Sequence, residues 1–191
     1  MNLSLSQITA VLLVDHDSNR LLAKYYSPPH VDPKSPAPRS FSTLKEQRAF
    51  EAQVWEKTRK QTGDILLLDQ HLVLYKQSLD LTFYVVGPAG ENELMLQAAL
   101  VAFYDAVALL LRHQVEKRSI LENLDLVVLA LDETIDDGIV LETDPIAIAS
   151  RVSRPRPDAA VNLSDIQLNE QSIMQAFTTV RNKIGQSILN A

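Results

Sequence analysis

The chain contains no cysteine. That excludes disulfide staples, thiolate metal sites and a cysteine nucleophile, and it fits a reducing compartment. Glycine is scarce as well, with five in 191 residues and neither a GxGxxG turn nor a GKS or GKT phosphate loop, so no familiar nucleotide cradle is present. Positive charge is short: 18 Lys and Arg against 24 Asp and Glu leave a formal net charge of −6. With no basic stripe, nucleic acid is not an expected partner. The most apolar window, residues 95–111, is 17 residues long and contains Gln97 and Asp105, short of the roughly 20 apolar residues that a bilayer demands. The N-terminal MNLSLSQITAVLLVDHD has no basic n-region or small-residue cleavage site, so a soluble cytosolic protein is expected.

What is present has the content of one globular domain, with 46% hydrophobic and 22% charged residues. Two apolar runs, ITAVLLV (8–14) and LLAKYY (21–26), flank a turn-forming DHDSN and predict a hairpin. Residues 27–42 hold five prolines and read as a solvent-exposed insertion, since that composition resists both helix and sheet. Thr43 with Glu46 forms a capping-box pattern opening a charge-rich surface helix that Gly63 is expected to close. Three strands follow, at 65–68, 72–76 and 79–86, then a helix capped by Asn92.

That last helix is apolar nearly all round, with Asp105 the one charge between Ala98 and Leu111. A helix lying on one sheet face needs an apolar stripe only about 100° wide. Its other side must therefore be covered by further helices or by a partner protein. Helical spacing nominates Leu96, Leu100, Phe103 and Val107 as partner-interface residues. A further helical stretch spans 115–131 with a short corner before it, Pro145 starts a short helix, and Asn169 caps a last amphipathic helix carrying Ile173, Phe177, Val180, Ile184 and Ile188.

The stretch LDETIDDGIVLETDP (131–145) holds four aspartates and two glutamates and invites a metal reading. Placing Gly138 at position 6 of a calcium loop puts Glu133, Asp137 and Asp144 at ligand positions 1, 5 and 12, but Ile135 at 3 and Leu141 at 9. The loop fails, and the stretch reads better as a helix end, a glycine turn and a proline-started helix. The histidines His16, His30, His71 and His113 show no i, i+4 spacing, and no serine sits in a nucleophile elbow. No catalytic, cofactor-binding or metal residues are expected. Trp55, on the charge-rich helix, is either a core residue or an interaction anchor.

NRLLAKYY (19–26), KEQRAFE (45–51), ENELMLQA (91–98), VEKRSILEN (115–123) and the acidic stretch resemble, in order, the zeta-subunit family of coatomer, among the adaptor small chains. The resemblance runs from about residue 8 to 151 and again through the last helix. Residues 27–42 are longer and richer in proline than the family pattern, and 154–165 look variable. The resemblance implies an α/β (α+β) longin/SNARE-like domain, a five-stranded antiparallel sheet in the order ββαβββ with helices on both faces. Domain organisation is expected as residues 1–151 with the 27–42 insertion, a variable linker at 152–168, and a C-terminal amphipathic helix at 169–191 packing on the domain or a partner.

By the same resemblance the function is that of a structural, non-enzymatic coat subunit. It pairs with the trunk of the coatomer gamma large subunit inside a heptamer recruited by an Arf-type GTPase. That coat serves retrograde Golgi-to-endoplasmic-reticulum and intra-Golgi traffic, on the cytosolic side of Golgi membranes and vesicles. Related sigma subunits of clathrin adaptors hold dileucine signals in an apolar pocket; two of its positions align with Asp105 and Arg118, where a charge opposes burial of a leucine unless it is paired, so weak or no dileucine binding is expected. The alternatives are a sigma-type clathrin-adaptor subunit, a longin-type SNARE or a small-GTPase regulator. The SNARE is disfavoured because only about 40 residues follow the second proline break, with no heptad segment or anchor.

Overall fold

The computed structural model describes residues 8–26, 41–60 and 63–153. Contacts divide the chain into Met1–Ser153 and Arg154–Ala191. The linker from 154 onward, the helix expected at 169–191, and the proline-rich insertion apart from Phe41 and Ser42 lie outside the described residues.

Five strands form one antiparallel sheet: β1 (Ala10–Asp15), β2 (Arg20–Tyr25), β3 (Ile65–Leu68), β4 (His71–Gln77) and β5 (Leu81–Pro88), in the spatial order β2-β1-β5-β4-β3. The expected ββαβββ order holds, with helix α1 (Leu44–Thr58) between β2 and β3. β1 reads as a continuous apolar run because both of its faces are covered. Val11 and Leu13 enter one core, while Ala10, Leu12 and Val14 enter another on the opposite face, as a side-chain period of two requires.

α1 closes the second of these cores with Phe50 and Val54. Its capping box forms as expected: the Glu46 N–H donates to Thr43 Oγ1 at 3.3 Å, and the Thr43 N–H donates to the Glu46 carboxylate at 3.1 Å. The helix does not run to Gly63. It stops at Thr58, whose hydroxyl bonds the Val54 carbonyl at 2.9 Å and the Tyr84 hydroxyl at 2.8 Å, tying the last turn to the sheet.

The other face carries α2 (Glu93–Leu110), α3 (Lys117–Glu122), α4 (Leu124–Thr134) and α5 (Pro145–Val152). α2 rests on β5 and β4, and α4 and α5 pack on α2. At 18 residues and mean hydropathy 1.6, α2 is long and apolar enough to cross a bilayer. Here eight of its residues, Leu96, Leu100, Phe103 and Val107 among them, are buried against the sheet and the helices that follow, while Leu94, Met95 and Leu109 are exposed. The single helix expected over 115–131 is broken at Asn123, whose backbone leaves the helical region and whose side-chain amide donates to the Ser119 carbonyl at 2.9 Å. α5 starts on Pro145 with Asp144 accepting the Ile146 N–H at 3.0 Å.

Candidate partner-binding surface

The four nominated interface residues do not face outward. Leu96, Leu100, Phe103 and Val107 are each 0% exposed and belong to the core shared by α2, the sheet, α4 and α5. Spacing alone identified a buried stripe. It could not say that this chain's own α4 and α5 pack over that stripe, while Leu94, Met95 and Leu109 of the same helix stay exposed. Trp55 is half-buried against the α1 core, with the Arg59 guanidinium 4.6 Å from its ring centroid, so it packs largely at home.

The acidic stretch is a hairpin clasp. α4 ends at Thr134, and two short strands, β6 (Ile135–Asp136) and β7 (Ile139–Val140), are joined by Asp137 and Gly138. Both turn residues have positive φ, 46° and 79°, the geometry of a type I′ turn. The Asp-Gly pair flanked by aliphatics was the available signal for these strands. Gly138 accepts the Ile8 N–H at 2.7 Å, and a Cβ there would stand 2.6 Å from the Ile8 carbonyl oxygen. Glycine is thus demanded twice, by torsion and by the closeness of the chain leading into β1. Among the described residues, no group of three or more His, Asp or Glu side chains is placed to hold a metal ion.

Two carboxylates are buried elsewhere. Glu51 accepts from Arg20 Nε at 3.0 Å and from the Tyr25 hydroxyl at 2.8 Å. Burial first, and the Glu51 charge second, push the Tyr25 phenol far above its usual range, so the hydroxyl stays protonated and donates. Asp15 closes the β1–β2 turn. It accepts the backbone N–H groups of Asp17 at 2.9 Å and Asn19 at 2.8 Å, the Asn19 amide at 3.0 Å and Lys117 Nζ at 2.7 Å. Burial alone raises its carboxyl, but these donors outweigh it and hold the group down at about 2. A carboxylate so saturated is a fastener between the turn and α3, and is poorly suited to proton transfer.

Asp105 and Arg118 take different ion-pair partners and border different recesses. Asp105 pairs with Lys76 Nζ at 3.5 Å, and that ammonium lies 3.9 Å from the Tyr104 ring centroid. Arg118 pairs with Glu122 on α3 at 2.8 Å. Asp105 borders a recess with Ala108, Leu109, Val115 and Ile146, whereas Arg118 borders another with Asp80, Leu121 and Glu122.

The apolar surface that does face water includes β3. Ile65 is 49% and Leu67 64% exposed, while Leu68 is buried. The strand was legible as ILLL between turn formers, but its position at the sheet edge was not, because edge placement depends on topology.

A sequence model of the family described as clathrin adaptor complex small chain matches residues 7–157. The chain is 45% identical over 165 residues to coatomer subunit zeta of Saccharomyces cerevisiae, covering 85% of this chain and 87% of that protein. It is 39% identical over 186 residues to coatomer subunit zeta-1 of Homo sapiens, covering 97% and 95%, and 42% identical over 183 residues to coatomer subunit zeta-2 of Arabidopsis thaliana, covering 94% and 93%. Among solved structures, a chain in a homology model of the full-length AP-3 complex in a stretched open conformation superposes with TM-score 0.56 at 21% identity. The match covers 76% of this chain and 90% of that one, a likeness of fold.

Proposed function

The chain belongs to the clathrin adaptor complex small chain family, and on that premise we propose that it is the zeta-type small subunit of a coatomer coat, paired with the trunk of the gamma large subunit. The observation that carries this reading is 45% identity to a coatomer zeta subunit over most of both chains. Its place is within a heptameric coat recruited by an Arf-type GTPase, peripheral on the cytosolic side of Golgi membranes and vesicles, in retrograde and intra-Golgi transport. Its role is structural, without catalysis. The saturated state of Asp15 and the plain turn built from the acidic stretch support that.

The enclosure of α2 alters one expectation. A helix apolar nearly all round called for further helices or a partner protein as its cover. With α4 and α5 covering it, the isolated chain is expected to fold on its own. The test is co-purification with a gamma trunk: a one-to-one complex is expected, and a stable monomer that ignores the trunk would overturn the assignment. A dileucine peptide should bind this pair weakly or not at all, because Asp105 with Lys76 and Arg118 with Glu122 place ion pairs at the aligned pocket positions, and a leucine buried there would have to desolvate them. Saturable binding in a fluorescence titration would contradict that.

A further inference from the structure

Positive charge is distributed unevenly over this acidic chain. The described residues include twelve Lys and Arg side chains, and six of them, Arg20, Lys24, Lys76, Lys117, Arg118 and Arg151, sit in ion pairs. Five of the other six, Lys45, Arg48, Lys57, Arg59 and Lys60, are exposed on α1 or on the turn that ends it. Among the described residues none of these five is ion-paired; Arg59 lies over the Trp55 ring instead. At 1.5 Å per residue the row from Lys45 to Lys60 is about 22 Å long.

The stability of the helix does not account for them. Its macrodipole favours cations near the C-terminus, which suits Lys57, Arg59 and Lys60, but disfavours Lys45 in the first turn. Lys45 and Arg48 are like-charge neighbours at i,i+3, and so are Lys57 and Lys60. Two of the three acids of α1 are committed elsewhere: Glu46 closes the capping box, and Glu51 is buried under Arg20 and the Tyr25 hydroxyl. Glu56 is exposed on the same helix, and Asp17 borders the cleft beside Trp55 and Arg59, yet neither forms an ion pair with these cations. Five like charges thus share one face with little within the chain to offset them.

The chemistry of the face narrows the occupant. Phe50 and Val54 of α1 are turned into the core, so the helix keeps no continuous apolar side to enter a bilayer. A chain of net charge −6 is repelled from an extended anionic surface, membrane or nucleic acid, everywhere except at this face. A second copy pairing through α1 about a two-fold axis would set cations against cations. An acidic protein segment is narrow enough to meet this face alone and finds complementary charge along it. We propose that the outward face of α1 is the docking surface for an acidic segment of the large-subunit partner, whose Asp and Glu side chains pair with Lys45, Arg48, Lys57 and Lys60. This rests on the small-subunit reading and specifies which face makes the pairing and by what chemistry.

The test uses the full chain co-expressed with a gamma large subunit. Lys45→Glu with Arg48→Glu reverses charge near the end of α1 where the dipole welcomes an acid, so the isolated variant should melt no lower than wild type. Its affinity for the large subunit should fall about tenfold or more, and the weakening of binding by added salt should be shallower than in wild type. Arg112→Glu, a reversal at the exposed unpaired cation away from α1, is the control and should bind as wild type does. Zero-length carbodiimide coupling, which joins an amine to a carboxylate, should link Lys45, Lys57 or Lys60 to Asp or Glu of the large subunit in the wild-type complex, a readout independent of any variant. Unchanged affinity of the double variant, an equal loss in the control, or coupling confined to lysines off α1 overturns the proposal. So does binding of the chain alone to vesicles of phosphatidylcholine and phosphatidylserine, or self-association of the chain, if either is abolished in the double variant. Failure of the wild type to bind any gamma trunk is a different result: it removes the small-subunit assignment and the docking proposal with it.

Discussion

On one face of the sheet, α2 delivers Leu96, Leu100, Phe103 and Val107 to a core in which every one of them is sealed from water. On the other, α1 has Phe50 and Val54 as its buried apolar anchors, with Trp55 half-buried beside them. The second face compensates with polar fastening: Arg20 and Tyr25 on Glu51, and Thr58 on Tyr84. Phe41 adds a ring that packs on Tyr25, Phe50 and His71 at centroid distances of 5.1, 4.6 and 5.1 Å. The difference follows from composition, because a charge-rich helix cannot close a core by burial alone and must satisfy whatever charge it brings in.

If that contrast is right, the most damaging change lies on the α2 face. Phe103 packs edge-on against Phe83 with centroids 5.7 Å apart and makes no hydrogen bond that could substitute for its volume. Phe103→Ala should cost about 3–5 kcal/mol, read as a fall in the urea midpoint. A loss under about 1 kcal/mol would mean the site collapses around the cavity and the face is not held by packing. The α1 face should respond next. Glu51→Ala strands Arg20 and the Tyr25 hydroxyl together and should cost about 2–3 kcal/mol. A double-mutant cycle with Arg20→Ala isolates the coupling. Near-zero coupling would make the network ornamental and return the burden to Phe50 and Val54.

The same contrast separates what could be read in the sequence from what could not. The apolar periodicity of α2, the Thr43–Glu46 capping box and the Pro145 helix start are local patterns, and each formed where its residues predicted. Strand order also followed, with β5 beginning at Leu81 because Ser78, Leu79 and Asp80 form the turn before it. Long-range pairing was silent. Nothing near Leu96 or Phe103 announces that residues 124–152 fold back over them. Nothing near Arg20 or Tyr25 names Glu51, some 30 residues away, as their common partner. The β6–β7 clasp was within reach, since Asp137-Gly138 between aliphatics is a hairpin signal, but the acids beside it drew attention to chemistry that the structure does not build.

The α2 side has an ion pair of its own, and it sharpens the comparison because its setting is different. Both partners of the Glu51–Arg20 pair are largely withdrawn from water, whereas Asp15 is buried and Lys117 is 42% exposed. Asp15 is held at about 2 in the folded chain, below the value near 3.9 of an unfolded aspartate. A depressed carboxyl contributes stability that is fully present above about pH 4 and disappears as pH falls toward 2, because the unfolded chain takes up the proton first. Melting temperature should therefore drop across that window in the wild type and drop less in Asp15→Asn. At neutral pH the variant should be less stable by about 1–2 kcal/mol, a discounted figure because water screens the half-exposed lysine. Added salt should erode this pair more than Glu51–Arg20. A pH profile identical in wild type and Asp15→Asn would place the acid sensitivity in other carboxylates, and equal salt sensitivity of the two pairs would erase the distinction between the faces.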